Sequence, residues 1–99
     1  MNKFDEDIYA VLAQVPHGKV VSYGVLAFLA GYPRAARQAG RAISHCPESL
    51  PWQRVVHSDG SISGGYFPDI RRALLENEGI EFSPSGKIDM EKYGWRGED

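Results

Sequence analysis

The most nucleophilic residue type in this 99-residue chain is cysteine, present once as Cys46. A thiol attacks only as a thiolate, which needs a base or a positive environment beside it, and the nearest histidine, His45, is an adjacent residue that need not face it. Cys46 therefore reads as inert. One cysteine cannot close an intramolecular disulfide, and with His17, His45 and His57 it offers none of the ligand spacings of structural zinc, so no metal or cofactor is expected. Two other sets of residues fit recognition better than catalysis. Arg34, Arg37 and Arg41 stand at i, i+3 and i+7, a spacing that puts side chains on one helical face. Ala35, Ala36 and Gly40 keep the surface between them low enough for a bulky partner. Trp52, in Pro51-Trp52-Gln53-Arg54 ahead of Val55 and Val56, is either an ordinary core residue or the aromatic wall of an apolar pocket.

The charge pattern favours an anionic partner. Net charge is -2, yet residues 17–57 hold five bases against the single acid Glu48, while residues 58–99 hold nine acids against five bases. Such segregation in a small domain aims one positive face at an anionic partner, the alternative being a merely solvated charged surface.

These residues must be held by short elements. Phe4, Ile8, Val11, Leu12 and Val15 recur at helical spacing behind Asp5, an N-cap type, and predict a first helix over residues 5–15 stopped by Pro16. Ser22 caps a second helix carrying Val25, Leu26, Phe28 and Leu29 to Gly31, and Pro33 starts a third that runs to about Ser44. Two helices flanking a Gly31-Tyr32 turn, the second of them basic, make a helix-turn-helix, a shape that also occurs without DNA. Arg54-Val55-Val56-His57, a Ser58-Asp59-Gly60 turn and Ser61-Ile62-Ser63 predict a β-hairpin. Residues 64–68 read as loop. Asp69 caps a fourth helix marked by Ile70, Ala73, Leu74 and Leu75 and closed by Gly79. The rest is mostly irregular, with Ile80, Phe82, Ile88, Tyr93 and Trp95 as packing anchors. The fold class is mixed α/β and mainly helical, a winged-helix-like helix-turn-helix with a small β-hairpin, in a single domain over residues 1–99. A hydrophobic content of 42% excludes disorder, and no run reaches the roughly 18 apolar residues of a bilayer span. The leading residues hold no apolar signal core, so a cytoplasmic protein is expected, and for want of any interface signal a monomer.

Five motifs occur in an order that resembles the DNA-binding domain of the O6-alkylguanine-DNA alkyltransferases. They are Pro16-His17-Gly18-Lys19; Ser22-Tyr23-Gly24 with Leu26-Ala27; Ala35-Ala36-Arg37 with Gly40; Pro51-Trp52-Gln53-Arg54-Val55; and Leu74-Leu75 with Glu78-Gly79. The resemblance spans residues 4–79, and one departure carries its meaning. Those enzymes have Pro-Cys-His-Arg where this chain has Pro51-Trp52-Gln53-Arg54. An indole offers no thiolate-like nucleophile, so Trp52 cannot accept an alkyl group. With the enzymes' N-terminal domain also missing, the chain resembles the alkyltransferase-like proteins, non-enzymatic sensors of alkylated guanine in duplex DNA that flag lesions for nucleotide excision repair.

The resemblance implies roles for particular residues. Arg37 matches an arginine inserted through the minor groove to fill the gap left by the flipped nucleotide, its planar guanidinium able to stack and hydrogen-bond the orphaned base. Ala36 lies beside it, in the same close surface. Tyr23 matches a tyrosine that helps rotate the target nucleotide, and Ser22 and Arg34 are expected on phosphates, giving salt-dependent affinity without sequence preference. Trp52 and Val55 would line the lesion pocket, where each buried methylene of an alkyl group adds about 0.8 kcal/mol. Arg54 either touches DNA or holds the loop; Arg41 touches DNA or pairs with an acid. Tyr66 matches a lid over the base, while Phe67 is an aromatic wall or a core anchor. Glu78 matches a glutamate of the enzymes' histidine relay and, with Gln53 in the histidine's place, becomes structural. The expected partners are thus double-stranded DNA containing O6-alkylguanine and excision-repair proteins, the latter through the acidic second half or Tyr93-Gly94-Trp95. An active alkyltransferase using Cys46 or a water near Gln53, and a transcription regulator reading bases through Gln38, are the alternatives.

Overall fold

A computed structural model describes residues 2–62 and 67–98. Its helix α1 (Lys3–Leu12) begins earlier than the apolar spacing implies, because Asn2 and not Asp5 is the cap: Asn2 Oδ1 accepts the Asp5 N–H at 2.8 Å. Ile8 and Leu12 are fully buried and Val15 nearly so, although the chain has left the helix before Val15. Three side-chain contacts tie α1 to the residues of the helix-turn-helix. The Tyr9 hydroxyl donates to the Ala42 carbonyl at 2.6 Å, the Tyr32 hydroxyl donates to Asp7 at 2.7 Å, and the Phe4 ring meets Tyr32 edge-on at 4.7 Å.

Strand β1 (Val21–Ser22) runs into α2 (Tyr23–Leu29), whose first turn is capped by Ser22 Oγ accepting from Val25 N at 3.1 Å. Gly31, at φ 98°, takes the left-handed conformation that ends α2, and Tyr32 N donates back to the Ala27 carbonyl at 2.9 Å. Helix α3 (Ala36–Ser44) then packs across α2, so the helix-turn-helix forms as read. It starts three residues after Pro33, which leaves Arg34 on the turn, with only Arg37 and Arg41 on the helix.

The expected hairpin does not form among the described residues. After a single 3₁₀ turn (Trp52–Arg54), β2 (Val55–Val56) pairs in parallel with β1, Val21 opposite Val55 and Ser22 opposite Val56. The downstream turn survives as a loop closed by His57 N to the Ser61 carbonyl at 2.9 Å. The physical reason is burial: all four valines at positions 20, 21, 55 and 56 have no exposure, so β2 lies in the core with neither face free to alternate.

Helix α4 (Pro68–Asn77) starts at a proline after Phe67, which sits in the left-handed region at φ 45°; Asp69 lies in its first turn and is not the cap. The helix closes at Gly79, φ 90°, as expected. Its buried face is not the apolar one. Arg71 and Leu75 are inside, at 2% and 0% exposure, while Ile70 at 52% and Leu74 at 36% face outward. Beyond α4 the chain is more ordered than expected. Phe82 bridges Ile88, a short α5 (Met90–Tyr93) comes next, and Ile80, Ile88 and Tyr93 join Val20, Val56 and Leu75 in a second apolar cluster. Val20 N donates to the Tyr93 carbonyl at 2.9 Å, and Trp95 N donates to the Val20 carbonyl at 2.7 Å, which extends β1 by one bridge to Gly94. Tyr93 and Trp95 are therefore buried anchors and not an exposed docking surface. No described helix is long and apolar enough to cross a membrane.

Candidate nucleic-acid interface

The N-terminal part of α3 and the start of α2 enclose an open groove of about 450 Å³ lined by Tyr23, Ala36, Arg37, Gly40 and His57. Gly40 makes it possible, since a Cβ there would already lie 3.7 Å from the Tyr23 ring and a larger side chain would displace the tyrosine. His57, which carried no distinguishing signal in the sequence, packs against that ring at 5.4 Å. Arg37 is exposed at the groove's edge. Among the described residues the ion pairs engage Lys3, Arg54, Arg72, Lys87 and Lys92, and none engages Arg34, Arg37 or Arg41. Arg41 therefore has no acid paired with it among those residues. Three cations outside every described ion pair, all on one helix-turn-helix, leave their charge for an external anion. Ser22, by contrast, is 6% exposed and occupied as the α2 cap.

A second cavity, about 320 Å³, opens at the far end of α3 and is lined by Ile43, Ser44, Cys46, Glu48, Trp52 and Phe67. That volume is at the small end of ligand sites. Trp52 is half-buried and lines the cavity, and Phe67, 54% exposed, is a wall of it and not a core anchor. Val55 does not line the cavity: its side chain is wholly in the core, and what it offers is a carbonyl oxygen. Tyr66 lies outside the described residues. Cys46 shares the cavity, but burial pushes its thiol up to about 11, so it is protonated at neutral pH and lacks nucleophilic power.

Behind Trp52 the loop is held by a carboxylate with every donor it needs. Glu78 accepts from Gly18 N at 2.8 Å, Gln53 Nε2 at 2.9 Å and Arg54 Nε at 3.0 Å. Burial opposes its charge, but the Gly18, Gln53 and Arg54 donors outweigh burial and hold the carboxyl below the ordinary range. Arg54 spends its remaining reach on the Val15 carbonyl, 2.9 Å away, and so fastens the loop to α1's exit. Gln53 donates its amide N–H to Glu78 and is no base toward anything at position 52.

Arg71 is the residue that reading the sequence missed. Its guanidinium is buried without a carboxylate partner among the described residues, donates from Nη1 to the Val55 carbonyl at 2.8 Å and to the Tyr23 hydroxyl at 3.3 Å, and lies 5.2 Å over the Trp52 ring. Its Nε has no hydrogen-bond partner there. The available signal was positional: Arg71 is one helical turn before Leu75 and two before Glu78, on the side that carries the buried groups. Arginine in a helix next to a second arginine otherwise reads as solvated surface.

The family model for the 6-O-methylguanine DNA methyltransferase DNA binding domain matches residues 3–80. A DNA base-flipping protein of Vibrio parahaemolyticus serotype O3:K6 is 48% identical over 99 residues, covering 97% of this chain and 99% of the relative. The crystal structure of S. pombe Atl1 in complex with damaged DNA containing O6-carboxymethylguanine superposes with a TM-score of 0.85 at 34% identity, covering 96% of both chains. A methylated-DNA–protein-cysteine methyltransferase of Rattus norvegicus is 41% identical over 85 residues, which are 81% of this chain and 39% of that protein. This chain belongs to the 6-O-methylguanine DNA methyltransferase DNA-binding-domain family, and over nearly its whole length it matches members named DNA base-flipping protein and alkyltransferase-like protein.

Proposed function

We propose that the chain is a non-enzymatic sensor of O6-alkylguanine in duplex DNA. It docks in the minor groove with α3, extrudes the damaged nucleotide past Tyr23 into the Trp52 cavity, and marks the site for nucleotide excision repair. The observation that carries this reading is a cavity with an indole on its wall, Gln53 hydrogen-bonded away beside it, and a protonated thiol, the chain's only one. Such a pocket holds an alkylated base and has nothing to accept the alkyl group. The names of the Vibrio and S. pombe relatives, and the damaged DNA in the Atl1 complex, support the partner.

Within this reading Arg37 occupies the vacated stack, Ala36 and Gly40 permit close approach, and Arg34 contacts phosphates, while the buried Ser22 serves as the cap that sets the start of α2. Arg54 keeps the wall in place and does not touch DNA. The arginines outside the ion pairs predict a strong salt dependence. A regulator that reads bases in the major groove is not favoured, because α3 presents alanines and a glycine between its arginines.

The test mixes the protein with a duplex carrying one O6-methylguanine, compares its affinity for the undamaged duplex, and weighs the protein by intact mass spectrometry. Selective binding at unchanged mass, with the lesion still in the DNA, is the expected result. A gain of about 14 Da, the methylene unit by which methyl exceeds hydrogen, would make the chain a transferase, and equal affinity for both duplexes would end the sensor reading.

A further inference from the structure

We propose that Arg71 is a positioning residue that couples nucleotide extrusion at Tyr23 to lesion capture at Trp52. It rests on the sensor reading above, but its grounds are separate. Tyr23 lines the groove beside Arg37, Trp52 lines the cavity at the other end of α3, and Arg71 touches both from behind. A buried cation is tolerated only when hydrogen bonds and polarisable neighbours offset its lost hydration. Among the described residues Arg71 has a carbonyl, a phenolic oxygen and an indole face, no carboxylate, and a buried Nε–H left unmatched. An aliphatic residue would fill the same space beside Leu75 without that penalty, so the guanidinium is there for what it does to its neighbours.

Its effect on Tyr23 comes from donor and acceptor counting. The phenolic oxygen accepts from Arg71 Nη1, and arginine cannot accept in return, so the tyrosine's own proton points away from Arg71 and toward the groove. There it is a prepared donor for an acceptor atom of the extruded nucleotide. The effect on Trp52 is electrostatic and steric. A cation over one face of the indole fixes the ring's tilt, and with it the angle at which the indole meets the captured base. Because a single planar group holds both side chains, losing it disorganises both ends together, whereas the arginines of the helix-turn-helix act at the DNA surface independently of it.

The test is a double-substitution cycle of Arg71→Met and Tyr23→Phe, read as dissociation constants for an O6-methylguanine duplex and its undamaged counterpart. Arg71→Met is expected to weaken lesion binding about tenfold, with a several-fold smaller effect on the undamaged duplex. Tyr23→Phe weakens it about fivefold. The double variant should be no weaker than Arg71→Met alone, since the hydroxyl loses its alignment with the guanidinium. A second readout is Trp52 emission in a Trp95→Phe background, which should shift in Arg71→Met before any DNA is added. Should Arg71→Met fail to fold, Arg71→Lys retains a buried cation without the planar fork, and the same non-additivity with Tyr23→Phe is expected. Independent, multiplicative losses, equal losses on both duplexes, or unchanged Trp52 emission would each overturn the positioning role. If the unsubstituted protein shows no lesion preference, the sensor reading fails first, which is a distinct result from additive variants of a selective protein.

Discussion

Replacing Glu78 with glutamine tests how the wall of the cavity is held. The substitution keeps shape and removes charge, and it puts an amide donor against at least one of the Gly18, Gln53 and Arg54 donors that converge on the carboxylate. The Glu78 side chain is 6% exposed and that of Arg54 15%, so water repairs little of the loss. Removing one partner of a buried ion pair costs about 3–5 kcal/mol. Arg54 keeps its bond to the Val15 carbonyl, which argues for the lower end, about 3 kcal/mol. In a domain of this length that lowers the melting temperature by roughly 12–24 °C, a large part of a stability of about 5–15 kcal/mol. Urea and thermal melts monitored by circular dichroism would measure it. The pH dependence is the stricter check. The folded carboxyl titrates below its ordinary value of 4.5, so the unfolded chain takes up the proton more readily. Its stabilisation is therefore complete above pH 4.5 and disappears as pH falls through the lower folded value. The gap between the two proteins should be widest at neutral pH and should close in acid. A gap under about 1 kcal/mol at pH 7, or one that stays constant into acid, would refute the account of the loop.

Arg37→Ala is expected to cost lesion binding more than binding to undamaged duplex; titrations showing equal loss would reduce it to a phosphate contact. Trp52→Cys should stay a poor alkyl acceptor, because Gln53 is no base and Glu78 is occupied by its donors; rapid self-alkylation seen by mass spectrometry would break that argument. Leu75→Ala should destabilise by about 2–5 kcal/mol and Leu74→Ala by under about 1 kcal/mol in denaturant melts, and a reversed order would mean that α4 buries the other face.

The parts of this fold that sequence reading found are those with a local physical signature. Ser22 caps the helix it precedes, Gly31 and Gly79 stand where left-handed turns are needed, and Ile8, Leu12 and Leu26 fall at helical spacing. Pairing of Val21–Ser22 with Val55–Val56 leaves no such trace, since two-residue buried strands have no alternation and their contact is set by everything between them. Hydropathy also misassigned α4, where Ile70 and Leu74 look inward by type and the arginine is inward in fact. Phe67 in a left-handed conformation is equally silent in sequence. At the site, the spacing marked Arg37, but Trp52 alone was indistinguishable from a core tryptophan; the family frame singled it out. Arg71 was illegible because its role is defined by three neighbours distant in sequence.

The bridge from Val20 to Tyr93 and Trp95 has a bearing on synthesis. A ribosome that has released the helix-turn-helix, both lining groups of the cavity and all of α4 has still not released the backbone that satisfies Val20. Until then the N–H and carbonyl of a fully buried residue lack their partners, and the cluster around Val56 and Leu75 lacks Ile88 and Tyr93. During synthesis the nascent chain thus leaves an apolar seam beside the helix-turn-helix uncovered until its last residues emerge. Translation pauses late in the message would lengthen the life of that half-closed species and its opportunity to aggregate.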